Sequence, residues 1–257
     1  MPSLPFALPD NLLAPRPAER RIAFLRDRRF AHRGLHGQGR IENSRAAFLA
    51  AIEQGDGIEC DVQISLDGTA FVFHDATLDR LTEKQGTLAT LPAGSIGRML
   101  LKGTGETIPR LEEILSLVDG RVPLLIELKA PEALVGRLCL AVRRALEGYR
   151  GPVAVMSFNP QVGRWFADHA PRITRGLVVT EEDKRGMRGR IERHLALWRA
   201  RPDFLAYDIR DLPSRFAAAQ RERGLPVLTW TVRGAAAEAI AADHTDGPIY
   251  EIEHDEI

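Results

Sequence analysis

Cysteine is scarce in this 257-residue chain: Cys60 and Cys139 are the only two, each in an apolar or strand-like setting, which argues against a disulfide framework or a cysteine-held metal. A reducing compartment is therefore expected. The segment MPSLPFALPDNLLAPRP has no basic stretch ahead of its apolar residues and is broken by prolines, so no export leader is expected and the chain is read as cytoplasmic. No apolar run approaches the ~20 residues needed to cross a hydrocarbon core, which excludes a transmembrane helix. Net charge is also missing, since 35 Lys and Arg balance 35 Asp and Glu, and with it the basic footprint that nucleic-acid binding requires. The 16 prolines and 22 glycines are scattered, leaving neither a collagen-like repeat nor a disordered tract. The apolar and Arg-rich stretch from Leu12 to Phe30 offers a modestly amphipathic surface. Brief contact with a lipid surface is compatible with it, but capping of the fold is the favoured reading.

Short β-rich runs alternate with helical patterns. The runs are Phe30 to His32, Gly57 to Val62, Leu124 to Leu128, Val153 to Ser157, Gly176 to Val179, Phe204 to Asp208, Val227 to Thr231 and Pro248 to Glu251. Between them lie stretches such as SRAAFLAAIEQG, LEEILSLV and LVGRLCLAVRRALEGY, with apolar residues at helical spacing and several closed by glycine. Such alternation at this length predicts an α/β fold, a (β/α)8 TIM barrel, with an open doubly wound sheet as the competing arrangement. One interval breaks the rhythm. Residues 63–108, with an extended excursion QISLDGTAFVFHD turning at Asp67 and Gly68, are too long for a strand-to-helix connection and predict a small insertion subdomain within a single 1–257 domain. Pro109 suits the start of the helix that follows. Loops after strands carry the reactive groups of such barrels, so this insertion is expected to wall the cleft.

Polar residues at strand ends are the sharpest signal. In IECDV, Glu59 and Asp61 are two positions apart and share one face of their strand; in LLIELKA, Glu127 and Lys129 repeat that parity on the next strand. Each acid alone fits a salt bridge with Arg33 or Lys129. Three together repel unless a proton or cation intervenes, and an all-oxygen set favours one Mg2+ or Ca2+. FAHRG ends the first run with His32 and Arg33, and FVFHD brings His74 and Asp75. Two imidazoles beside an acidic group suit general acid and base work, and the Arg33 fork with the compact charge of Lys129 suits phosphate oxygens. Glu42 precedes a helix whose N-cap is Asn43 or Ser44, and fits a site role and helix-start chemistry equally. Trp230 fits cleft lining for substrate as well as core packing, and Asp208 is a weaker polar candidate.

The runs AHRG, ENSRAAFLAAIEQG, IECDVQISLDG, FVFHDATLDRLT, IPRLEEIL and IELK together resemble the glycerophosphodiester phosphodiesterase family, most strongly from Phe30 to Glu132. The resemblance implies a barrel with an insertion after the second strand and metal-dependent hydrolysis of glycerophosphodiesters to glycerol 3-phosphate and an alcohol. It further implies acid-base roles for His32 and His74 through a cyclic phosphate, metal ligation by Glu59, Asp61 and Glu127, phosphate handling by Arg33 and Lys129, and a place for Glu42 at the catalytic centre. Ser44, Arg233 and the IYE run at Tyr250 depart from the family pattern. Lysophospholipase D-type hydrolysis of lysophospholipids is the nearest alternative, and a phosphate-binding barrel without turnover a more distant one.

Overall fold

The computed structural model describes residues 6–252; residues 1–5 and 253–257 lie outside the description, so the reading of MPSLP as part of a leaderless start is untouched by it. Nine strands are present: β1 (Phe30–Ala31), β2 (Gly57–Ile64), β3 (Ala70–Val72), β4 (Leu124–Leu128), β5 (Val153–Ser157), β6 (Thr174–Val179), β7 (Phe204–Asp208), β8 (Val227–Val232) and β9 (Gly247–Tyr250). Apart from β3, they match the eight runs expected from sequence to within two residues at each end. The fold is a (β/α)8 barrel carrying one additional strand after β2. The described chain divides into two compact units, one formed by Phe30–Val153 with Glu251 and Ile252, the other by residues 6–29 with Ala154–Tyr250.

In the first unit, β2 lies between β1 and β4, parallel to both, with Phe30 opposite Gly57 and Asp61 opposite Glu127. All eight residues of β2 are buried, as a strand covered on both faces requires. β3 folds back antiparallel on the end of β2, pairing Val62 with Val72 and Ile64 with Ala70. Its apolar residues join a separate buried cluster of Phe71, Phe73, Leu78, Leu81, Leu88, Ala93, Ile96, Leu101 and Ile108, so residues 63–108 bury a small core with little regular structure. Helix Arg45–Gln54 starts where Ser44 Oγ accepts from Ala47 N at 3.1 Å and stops at Gly55, whose φ of 80° is left-handed. Helix Leu111–Val118 buries Leu111, Ile114, Leu115 and Val118, the i, i+3, i+4, i+7 stripe; burying each stabilises by about 1.5–3 kcal/mol.

In the second unit, β5 through β9 run parallel in sequence order. Helix Pro160–His169 opens with proline at its first position and Asn159 as its cap. The N-terminal helix Ala7–Leu13 caps this unit rather than standing free: Asp10, 3% exposed, accepts from His194 Nδ1 at 2.9 Å, Trp198 Nε1 at 2.7 Å and Gln220 Nε2 at 2.8 Å. Phe6 stacks on the His194 ring with centroids 4.1 Å apart. No helix among the described residues is long and apolar enough to cross a membrane.

Burial pushes the Asp10 carboxyl up, yet hydrogen bonds from His194, Gln220 and Trp198 outweigh it and hold its pKa below the ordinary 3.8. A depressed folded-state pKa contributes stability that is present above the unfolded value and fades as pH falls through the folded one. Asp10→Ala strands three donors, and a loss of about 2–3 kcal/mol is expected at neutral pH. Denaturant titration of wild type and variant should show that gap narrowing below about pH 4; a gap unchanged down to pH 2 would contradict the network's role.

Candidate active site

The β2 strand sets the site through its period of two. Glu59, Asp61 and Gln63 share a face, and parallel pairing with β4 puts Glu127 beside Asp61. The oxygens of Glu59, Asp61 and Glu127 gather within 4.8 Å of one another, all three residues buried. Lys129, two positions beyond Glu127, places Nζ 2.5 Å from Glu127 Oε1 and 2.9 Å from Asp61 Oδ1. Its own strand extension is fixed by Lys129 N donating to Val62 O at 3.0 Å.

Arg33 serves the same group from the turn after β1. Its φ of 56° is left-handed, and the following Gly34, at φ 78°, has no room for a side chain: a Cβ there would lie 2.7 Å from the Phe48 ring. The turn aims Arg33 N at Glu59 Oε2 (3.0 Å), while the side chain puts Nε 3.3 Å from Asp61 Oδ2 and donates from Nη1 to Glu42 Oε1 at 2.8 Å. Asn43, also left-handed at φ 57°, braces Asp61 twice, donating from Nδ2 to Asp61 Oδ2 at 2.9 Å and accepting from Asp61 N at 3.2 Å. Of the two residues that could have capped the helix, Ser44 does so and Asn43 is released for this brace.

Electrostatics follow from the crowding. Burial and the charges of Asp61 and Glu127 push the Glu59 carboxyl well above the usual carboxylate range. Burial also raises Glu127, although Lys129 opposes it. Asp61 goes the other way: burial raises it, but Lys129 and Arg33 together bring it down, so Asp61 carries the settled negative charge. Burial lowers Lys129, and the two carboxylates it touches more than reverse that. Glu59 Oε1 is buried without a hydrogen-bond partner, an acceptor lone pair with nothing to receive. Three buried carboxylates, with Glu59 Oε1 unpaired, fit a divalent cation, whose charge would offset the burial and mutual repulsion that raise Glu59 and Glu127.

Each histidine has its Nδ1 on a carboxylate. His32, following β1, lies 2.5 Å from Glu251 Oε1 through Nδ1 and 3.9 Å from Glu59 Oε2 through Nε2. His74 Nδ1 is 2.7 Å from Asp75 Oδ1. A carboxylate oxygen accepts, so both imidazoles carry hydrogen at Nδ1 and leave Nε2 for other work. Burial lowers the His32 pKa, with the Glu251 hydrogen bond opposing it. Gln63 pins the His74 segment by donating from Nε2 toward the carbonyls of Phe73, His74 and Asp75, at 3.0, 3.1 and 2.6 Å.

Of the residues singled out from sequence, His32, Arg33, Glu42, Glu59, Asp61, His74, Asp75, Glu127 and Lys129 thus lie in one unit, in linked contacts. Trp230 belongs to the other unit, where its Nε1 donates to Ala206 O at 3.0 Å and its ring meets Phe158 edge-on at 5.4 Å. Asp208, also there, caps the turn Ile209–Asp211 and ion-pairs with Arg210. Asn43, Gln63, Arg80 and Glu251 were not anticipated as part of the site. Gln63 continued the parity of Glu59 and Asp61, and Asn43 and Arg80 lay within the runs that carry the family resemblance without a role being read for them at the site.

A model of the glycerophosphoryl diester phosphodiesterase family matches residues 32–245. A glycerophosphodiester phosphodiesterase of Bacillus altitudinis is 41% identical over 107 residues, 39% of this chain and 43% of that protein. Another from Caldanaerobacter subterraneus is 34% identical over 158 residues, 58% of this chain and 65% of that protein. The aligned stretches thus span less than two thirds of either relative. Among solved structures, a phosphodiesterase of Oleispira antarctica in complex with the product sn-glycerol-3-phosphate superposes with a TM-score of 0.76 at 24% identity, covering 88% of this chain and 93% of that one. A glycerophosphodiester phosphodiesterase of Thermotoga maritima follows at 0.69 and 22%, covering 86% and 92%. At these identities the structures establish the shared barrel fold. The family match spans most of the chain, including the turn at His32, the acidic strands and the His74 segment, and the chain accordingly belongs to the glycerophosphoryl diester phosphodiesterase family.

Proposed function

We propose that this protein hydrolyses glycerophosphodiesters to sn-glycerol 3-phosphate and an alcohol, using His32 and His74 as its acid-base pair and a divalent cation held by Glu59, Asp61 and Glu127. The observation that carries the reading is the pairing of two Nδ1-anchored imidazoles with a buried three-carboxylate group that already binds the cationic side chains Arg33 and Lys129. When bound, the cation supplies positive charge against the phosphodiester oxygens. An all-oxygen donor set supports Mg2+ or Ca2+.

The residues of this chain would do the rest. Neutral His32 accepts the proton of the glycerol hydroxyl adjacent to the phosphate, and burial, which lowers its pKa, supports that assignment. The hydroxyl oxygen attacks phosphorus, the bond to the head-group alcohol breaks, and His74, entering the step as the imidazolium with Nδ1 held by Asp75, gives the departing oxygen the proton on Nε2. Water then opens the resulting cyclic phosphate with the two roles exchanged, regenerating both imidazoles. Arg33 and Lys129 hold negative charge as it builds on the non-bridging oxygens, and Glu42 keeps the Arg33 fork in place. Trp230 is retained as a candidate contact for the substrate. We read the chain as one phosphodiesterase domain with 63–108 as an insertion; the free, buried thiols of Cys60 and Cys139 support a cytoplasmic setting.

Thorough chelation should abolish release of glycerol 3-phosphate, and Mg2+ or Ca2+ should restore it; undiminished turnover in chelator would remove the metal from the reaction. The same assay run on a deacylated glycerophosphodiester and a lysophospholipid side by side, with products identified, separates the main reading from lysophospholipase D-type activity. His32→Ala and His74→Ala should each lower kcat by about 10²–10⁴ while the far-UV spectrum and unfolding midpoint stay close to wild type. Full turnover in either variant would leave that histidine without a chemical role.

A further inference from the structure

We infer that Arg80, which touches none of the three acids, is a positioning residue that sets the geometry of both His74 and Arg33. One guanidinium is divided between two carboxylates. Nε and Nη2 donate to Asp75 Oδ2 and Oδ1 at 2.6 and 2.9 Å, while Nη1 and Nη2 donate to Glu42 Oε2 and Oε1 at 2.8 Å each. Each carboxylate is simultaneously engaged with a site group. Asp75 Oδ1 holds His74 Nδ1 at 2.7 Å, and Glu42 Oε1 accepts from Arg33 Nη1 at 2.8 Å. His74, Asp75, Arg80, Glu42 and Arg33 therefore form one unbroken chain of charge-assisted hydrogen bonds. Four of them converge on a planar fork that no other side chain reproduces.

The surroundings of Arg80 explain how an exposed side chain can hold a fixed position. Its flanking residues Leu78 and Leu81 belong to the buried cluster of the 63–108 segment, Leu78 N donates to Gly86 O at 2.9 Å, and Leu81 O accepts from Lys102 N at 2.9 Å. The backbone is thus clamped on both sides while the side chain, 48% exposed, reaches back to the acids. Without that cation Asp75 and Glu42 would share a neighbourhood as two like charges, and Asp75 would be free to turn away from His74. A surface ion pair that acted only on stability would be worth little and would leave kinetics unchanged. A positioning residue would not.

This inference rests on the functional reading above, so its test carries a readout independent of turnover. Arg80→Ala should lower kcat for a glycerophosphodiester by roughly 10–100-fold, the range expected when a group orienting an active-site ligand is removed. KM should rise as well through the loosened Arg33, and the unfolding midpoint should move by no more than a few degrees. Arg80→Lys, which keeps the charge and loses the fork, should recover only part of kcat; it also stands in if the alanine variant folds poorly. In an Asp75→Asn background, Arg80→Ala should cost far less in kcat than it does alone, because both act on His74. In parallel, 15N correlation spectra of the imidazoles should show His74 protonated at Nδ1 in wild type and a mixture of tautomers in Arg80→Ala. Wild-type kinetics in Arg80→Ala, losses that multiply with those of Asp75→Asn, or an unchanged His74 tautomer would each overturn the inference. A wild-type protein that cleaves no glycerophosphodiester yet shows the tautomer change would instead overturn the functional reading and leave the role of Arg80 standing.

Discussion

Mutual repulsion among three buried carboxylates is the constraint around which this site is built. Two unit charges at 4.8 Å, the outer limit of the Glu59, Asp61 and Glu127 spacing, repel by about 3.5 kcal/mol at an effective dielectric constant of 20. Three such pairs approach about 10 kcal/mol, comparable with the whole stability of a domain. The chain's own cations meet only part of this. Lys129 and Arg33 both favour the ionised form of Asp61, while Glu59 and Glu127 are left holding protons more tightly than usual. Positive charge from the chain is thus concentrated on Asp61, with Lys129 also reaching Glu127, and the acidic cluster they leave is consistent with a divalent-cation site.

Arg33 shows how economically the remaining geometry is obtained. Through its backbone N–H, Nε and Nη1 one residue reaches Glu59, Asp61 and Glu42. That reach requires the chain to turn sharply after β1, and a left-handed backbone at a residue with a side chain costs roughly 1–2 kcal/mol. Asn43 N donating to Arg33 O at 2.8 Å ties a second left-handed residue to the first, so the strain sits where two braces of Asp61 meet. The two histidines are treated alike. Each is oriented by a carboxylate on Nδ1, but the carboxylates lie at very different separations along the chain: Asp75 is the neighbour of His74, and Glu251 is 219 residues from His32.

That difference in reach accounts for what could be read from sequence. Glu59 with Asp61 and Glu127 with Lys129 were visible because a strand alternates its faces, and alternation is a local property of four or five letters. Asp75 was visible as the neighbour of a histidine. Glu251 and Arg80 were not, because their partners lie far along the chain, Arg80 being 38 residues from Glu42, and no local period marks such a pair. The N-cap of helix Arg45–Gln54 was legible only as a choice between Asn43 and Ser44, and it took the fold to free Asn43 for Asp61. Strand-length agreement was good where burial is continuous. It was least informative over residues 63–108, where Phe71 from the short strand β3 joins Leu78, Leu88 and Ile96 from loops and single turns in one core and the apolar spacing follows neither 2 nor 3.6.

The three like-facing residues of β2 also show why their chemistry differs. Glu59 meets a backbone N–H, and Asp61 meets an ammonium, a guanidinium and an amide N–H, so acceptors belong at both places. Gln63 meets three carbonyl oxygens. A third carboxylate there would confront only acceptors and add another negative charge to a crowded face, while an apolar residue would leave the His74 turn without its anchor. An amide is neutral and can donate. The alternation that gathers the acids must therefore stop being acidic at the position where the strand passes from holding charge to holding the loop that carries His74.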